Sequence, residues 1–154
     1  MPGDFDGDSD FDLDDVNTLM FATGTPEADP RFDLNEDGRV NRSDLVVWVK
    51  DIKQTTFGDA NLSGSFSTGD LVQVFQANEY EDDIEHNSRW ETGDWNGDGE
   101  FDSGDLIEAF GNGKFDPNAG NAQFVPESCS LVDVRLLAFV AVVYLRYNRR
   151  RNGR

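Results

Sequence analysis

The sequence predicts a mostly α fold made of paired loop–helix modules, followed by a linker and a C-terminal hydrophobic helix. Three observations predict it. A twelve-residue acidic loop occurs four times, at Asp4–Asp15, Asp33–Asp44, Asp59–Asp70 and Asp94–Asp105. Each copy runs into a short stretch whose apolar residues recur at helical spacing. The charge also changes sign late in the chain: residues 1–120 hold 29 acids and 7 bases, residues 121–154 hold 2 acids and 6 bases.

The loop is clearest in its fourth copy, D-W-N-G-D-G-E-F-D-S-G-D, which puts oxygen-bearing side chains at loop positions 1, 3, 5, 9 and 12. A hard cation such as Ca²⁺ takes six to eight oxygen ligands, and a loop of this length can wrap one. Gly99 at position 6 suits a sharp turn whose backbone conformation is cheap only for glycine. Phe101 at position 8 is expected to point away from the ion and pack beneath the loop. The first copy reads D-F-D-G-D-S-D-F-D-L-D-D, the second D-L-N-E-D-G-R-V-N-R-S-D and the third D-A-N-L-S-G-S-F-S-T-G-D. In all four, positions 1 and 12 are Asp, position 3 is Asp or Asn, and position 8 is Phe11, Val40, Phe66 or Phe101. The first copy departs at position 6, where Ser9 replaces glycine and leaves the turn strained.

The helices follow in order. Val16–Phe21 ends before Gly24 and Pro26; Leu45–Ile52 is apolar at 45, 46, 47, 49 and 52; Leu71–Phe75 stops before Asn78; Leu106–Phe110 stops before Gly111. In each case the acids closing the loop sit at the helix N-terminus, where the dipole favours them. One loop and helix cannot bury its apolar face alone, so the copies are expected to pair, with position-8 residues meeting as a short strand contact. This divides the chain into a first pair over 1–55, a second pair over 56–115, a linker over 116–127 and a hydrophobic segment over 128–154. Between the third and fourth loops, 79–92 is expected to be partly helical, its acids forming a solvated face.

The tail is a different material. Leu136–Leu145 is an uninterrupted apolar run, and Arg146, Arg149, Arg150, Arg151 and Arg154 follow it. The run alone is shorter than the roughly 20 residues a bilayer span needs. Taken over 131–147, with Asp133 and Arg135 near its start, it reads as a membrane-inserting helix, the alternative being an amphipathic packing helix.

A net charge of −18 with 37% apolar residues would repel itself when folded unless cations neutralise it. Twelve Phe and three Trp at repeating positions argue against a disordered acidic segment. Nucleic acid is not expected as a partner of residues 1–120, because phosphates would be repelled. Single residues of Cys129 and His86 exclude a disulfide within the chain and make a zinc site or a Ser-His-Asp triad a poor fit. Carboxylates with a metal can activate water, but each acid cluster here is already accounted for as a closed loop. No catalytic residue is therefore assigned, and the chain is not expected to be an enzyme. No signal peptide precedes the first loop, so either the protein stays inside the cell or this is the C-terminal part of a longer secreted one.

Loops that end in Asp and lead straight into a helix, occurring in pairs, resemble dockerin type I repeats. These are relatives of the EF-hand that lack its entering helix. The sequences G-D-A-N-L-S-G and G-D-W-N-G-D-G are similar to the family's opening signature. The resemblance implies up to four Ca²⁺ ions, held best by the second and fourth loops. The implied ligands are Asp4, Asp6, Asp8, Asp12 and Asp15 in the first loop. In the second they are Asp33, Asn35, Asp37, Asn41 and Asp44, with the backbone carbonyl of Arg39. In the third they are Asp59, Asn61, Ser63, Ser67 and Asp70, where two serines make a weaker site. In the fourth they are Asp94, Asn96, Asp98, Asp102 and Asp105, with the carbonyl of Glu100. Dockerins of the best-known type bind cohesins through a Ser-Thr pair at positions 10 and 11. Here those positions are Leu13-Asp14, Arg42-Ser43, Thr68-Gly69 and Ser103-Gly104, so a cohesin-like partner would need other contacts.

The tail resembles a second family, the C-terminal sorting signals of PEP-CTERM proteins: V-P-E-S at Val125–Ser128, an apolar stretch, then arginines. That resemblance implies processing at a bacterial cell envelope and a membrane contact through 131–147. Together the two imply a calcium-binding, non-catalytic module of a secreted or envelope-associated bacterial protein. The alternatives are an appendage of a longer secreted enzyme, such as a carbohydrate-active hydrolase, or a membrane-tethered spacer.

Overall fold

Each helix begins where a loop ends, for a local reason that recurs four times. Position 9 of the loop is the N-cap: Asp12, Asn41, Ser67 and Asp102 accept from backbone N–H groups of the first turn. Position 12, three residues on, reaches back to the N-cap's own N–H through Asp15, Asp44, Asp70 or Asp105. The reciprocal arrangement satisfies two donors that a helix start leaves orphaned. The computed structural model describes residues 1–119, which belong to one compact unit spanning 1–120.

The four helices are α1 (Leu13–Thr23), α2 (Arg42–Val47), α3 (Thr68–Ala77) and α4 (Ser103–Asn112). α2 widens at its end into a π turn over Trp48–Ile52, where the Lys53 N–H bonds the Trp48 carbonyl. α3 is closed by Asn78 in the left-handed region (φ 62°), a conformation Asn tolerates better than most residues. α4 runs through Gly111 and stops at Asn112, later than its glycines suggest.

The core is aromatic. Trp48, Trp90, Trp95, Phe57, Phe66 and Phe101 are fully buried, together with Val16 and Leu19 of α1, Leu45, Val49, Val74 and Ala109. Two of the three indole N–H groups find partners, Trp48 Nε1 donating to the Gly3 carbonyl at 2.8 Å and Trp90 Nε1 to the Asp59 carbonyl at 2.7 Å, while Trp95 Nε1 is buried without one. Contacts also join the halves of the repeat. Asn17 of α1 accepts the Trp90 N–H and donates to Glu91, and Arg42 of α2 pairs with Glu108 of α4 while lying over the Phe57 ring.

The position-8 residues do not pair with each other. Instead Phe66 forms a parallel bridge with Phe115, beyond α4, and Phe101 forms one with Tyr80, beyond α3. Each loop of the second pair is thus tied to the chain leaving the other's helix. Clustered rings enforce this, Phe66 lying 5.0 Å from Phe115 and Phe101 5.1 Å from Tyr80.

The expected fold class needs correction. The regular elements are helical, but all are short, the longest being α1 at 11 residues. No helix among the described residues is long and apolar enough to cross a membrane. The expected C-terminal hydrophobic helix, with the membrane contact at 131–147, the V-P-E-S motif and the arginine cluster, lies outside the described residues. The segment 79–92 also differs from expectation. Its only helical part is a 3-10 turn at Trp90–Thr92, because Glu81, Asp83 and His86 take left-handed backbone angles that break any helix.

Candidate metal centres

The four loops share one hydrogen-bond plan. The position-1 carboxylate gathers N–H groups from the turn opposite. Asp94 accepts from Gly97, Asp98 and Gly99, Asp33 from Asp37 and Gly38, Asp59 from Ser63 and Gly64, and Asp4 from Gly7. The position-3 side chain accepts the position-5 N–H: Asp6 from Asp8, Asn35 from Asp37, Asn61 from Ser63, Asn96 from Asp98. The position-5 carboxylate accepts the N–H of position 7, with Asp8 taking Asp10, Asp37 taking Arg39 and Asp98 taking Glu100. Ser63, the neutral position-5 residue, turns its hydroxyl to Asp59 instead.

These turns bring the chain to left-handed angles at position 6 in every copy: Ser9 (φ 80°), Gly38 (φ 82°), Gly64 (φ 95°) and Gly99 (φ 88°). Ser9 therefore bears the strain its replacement of glycine implied. Position 4 is also left-handed, at Gly7, Glu36, Leu62 and Gly97, which the sequence pattern did not reveal.

Position 12 closes each loop. Asp15, Asp44, Asp70 and Asp105 are fully buried. In three of them one oxygen accepts the N-cap N–H while the other accepts the N–H of position 2, from Phe5, Leu34 or Trp95. In the third loop the arrangement is incomplete: Asp70 Oδ2 accepts from Ser67, but Asp70 Oδ1 is buried with no hydrogen-bond partner. A buried carboxylate oxygen without a donor is costly.

The residues suit a hard cation. Every donor is oxygen, which favours Ca²⁺ or Mg²⁺ over softer metals. Capping accounts for positions 9 and 12, but not for an acid at positions 1 and 5. Asp70 Oδ1 has room in its hydrogen bonding for a donor or a cation. Burial pushes Asp94 up to about 7, against the lowering effect of its Gly97 and Gly99 bonds, with the Asp105 and Asp98 charges adding to the rise. Burial likewise raises Asp105. A cation beside these carboxylates would oppose both shifts, because an adjacent positive charge favours the charged form. In the first loop the carboxylates of Asp4, Asp6 and Asp8 come within 4.8 Å of one another, and Asp8, Asp10 and Asp12 form a second such group. Asp10 stands at position 7, where the resemblance implies a backbone carbonyl and not a side chain.

Two sets of supporting residues also escaped the pattern. The Thr55 hydroxyl donates to Asp59 from outside the third loop. His86 and Ser88 reach the fourth loop from the chain before it. Neither spacing nor residue type marks them, since both depend on how the chain returns in space.

Gly58 and Gly93, immediately before the third and fourth loops, are left-handed at φ 91° and 121° and lie against the faces of Phe66 and Phe101. A Cβ at either would enter the ring, so each glycine seats its loop on its own position-8 aromatic. Asp59 and Asp94 are positioned by that contact.

Comparison with known proteins gives one short match. The chain is 56% identical over 43 residues to the long isoform of an ulvan lyase from Glaciecola sp. (strain KUL10). The match covers 27% of this chain and 4% of the lyase, so the chain spans only a small part of that relative's length. No family model matches, and no solved structure matches.

Proposed function

We propose that the chain is a non-catalytic calcium-binding module, built of dockerin-like repeats, in a secreted or envelope-associated bacterial protein. The observation that carries this reading is the buried Asp70 Oδ1, which has no donor in an all-oxygen loop repeated four times. Bound Ca²⁺ supplies the positive charge that these carboxylates lack. The chain's own residues do the rest: position 12 locks loop to helix, position 1 gathers the turn, and the position-8 aromatics anchor the loop to the core. Since binding requires the folded loop, binding free energy becomes folding free energy. For a loop with Kd about 10⁻⁴ M, about 1 mM Ca²⁺ contributes about 1.4 kcal/mol.

Circular dichroism in EDTA and in millimolar Ca²⁺ tests this directly. The expected result is a gain of helix and a higher melting temperature with calcium. Identical spectra and melting curves in both conditions refute it.

The lyase match favours a more specific setting, in which the module is an appendage of a longer enzyme. A match to so small a part of a large protein is consistent with a repeat carried beside a catalytic domain. The isolated chain is then expected to leave ulvan intact; depolymerisation by purified chain would refute the non-catalytic reading.

A further inference from the structure

The fourth loop is held from outside in a way the others are not. His86 Nδ1 lies 3.2 Å from the Asp98 carbonyl, the Ser88 N–H donates to the Gly99 carbonyl at 3.0 Å, and the His86 N–H donates to Glu100 Oε1 at 2.6 Å. The Glu81 N–H then donates to the Phe101 carbonyl at 3.0 Å. These bonds cover loop positions 5 to 8 in sequence. Among the described residues, positions 5 to 7 of the other three loops receive no hydrogen bond from outside their loop.

The segment making these contacts has no helix of its own before Trp90, with internal bonds running to Asp82 from the Ile84 N–H and Asn87 Nδ2. Glu81, Asp83 and His86 all hold left-handed backbone angles of 48°, 63° and 56°. Such angles are unfavourable for non-glycine residues and persist where surrounding contacts impose them. Residues 80–89 and the fourth loop therefore order each other.

We propose that residues 80–89 act as a clamp that sets the fourth loop in its binding geometry before the cation arrives, with Glu100 and His86 as positioning residues. The inference rests on the calcium reading above. The clamp fixes Asp98 and the backbone on both sides of position 7, where two of the implied ligands lie. Ordering a loop in advance removes that cost from binding. The second loop offers the same residues at positions 1, 3, 5 and 12 and no clamp, but has Asn41 where the fourth has the Asp102 carboxylate, so the clamp is isolated by changing Glu100 and not by comparing the two loops. By reciprocity, calcium in the fourth loop tightens the clamp.

The position-6 glycines report on three loops separately, because the amides of Gly38, Gly64 and Gly99 each donate to their own position-1 carboxylate. Calcium titrations of the whole chain followed by ¹H–¹⁵N NMR compare the native protein with Glu100→Ala and Glu100→Gln. The Glu100 side chain is partly exposed, and only its carbonyl is an implied ligand, so neither change removes a donor. Glu100→Ala is expected to raise the Gly99 midpoint about tenfold, as loss of one hydrogen bond to a charged group would, while Gly38 and Gly64 stay within about twofold. Glu100→Gln keeps an oxygen for the His86 N–H and is expected to restore most of the affinity. Cleavage after Glu81 and Glu85 by a glutamate-specific protease should also slow as the Gly99 signal saturates. Equal weakening by Ala and Gln would assign the effect to charge and overturn the clamp, as would an unmoved Gly99 midpoint. If no glycine amide responds to calcium, the calcium reading itself fails.

Discussion

Replacing Gly93 by alanine tests how the fourth loop is seated. Gly93 has φ 121°, and an added Cβ would enter the Phe101 ring, which is buried between Trp95, Phe75 and Tyr80. The backbone angle alone costs an L-residue about 1–2 kcal/mol. Forcing a methyl group into a packed aromatic cluster adds about 1–3 kcal/mol. The total, about 2–5 kcal/mol, is a large share of the stability of a small domain. Gly97→Ala is the matched control. Its φ is 86°, but the nearest atom to a new Cβ is Thr23 Oγ1 at 3.6 Å, an ordinary contact. It should therefore cost only about 1–2 kcal/mol. Urea denaturation followed by tryptophan fluorescence, in calcium and in EDTA, measures both. Pairing Gly93→Ala with Phe101→Leu in a double-mutant cycle isolates the ring contact, and the two losses should be less than additive. If Gly93→Ala costs no more than Gly97→Ala, the loop is not seated on Phe101 and the reasoning is wrong.

Further outcomes follow from the buried groups. In the metal-free protein Asp94 holds its proton up to about pH 7, whereas an unfolded Asp releases it near pH 4, so its contribution is full below about pH 4 and is lost as pH rises through about 7. Thermal melting in EDTA should show stability falling over that window; Asp94→Asn should flatten the trend, and an unchanged slope would mean that Asp94 is not its source. Calcium binding near pH 6 should release protons from the same site, measurable as a buffer-dependent heat in calorimetry. Trp48→Phe leaves the Gly3 carbonyl without its 2.8 Å donor, and denaturant curves should show a loss of about 1–3 kcal/mol or more once the smaller ring is included.

The repeat was legible because it is a matter of residue type at fixed spacing. Twelve-residue loops closed by Asp, an apolar residue at position 8 and helical spacing afterwards located all four helix starts without reference to distant residues. Local chemistry suffices there: a capping box involves only residues three apart, and a left-handed turn at position 6 is a property of a few adjacent peptides. The strain at Ser9 was visible for the same reason. Helix ends were less legible, because α2 widens into a π turn and α4 continues through Gly111 under tertiary contacts.

What the amino-acid sequence determined by itself is the chemistry of the loops: which oxygens stand at which positions, and therefore what kind of ion they suit. Which segments support each loop was decided only by the tertiary structure. Phe66 and Phe101 pair with Phe115 and Tyr80 rather than with position-8 partners, because each ring cluster forms where a chain leaves the neighbouring helix. His86 meets Glu100, and Trp90 meets Asp59 and Asn17, across separations that no local period encodes. A buried oxygen without a donor, Asp70 Oδ1, is likewise invisible in the sequence: four loops have Asp at position 12, and only the packing around each shows which one lacks its position-2 N–H.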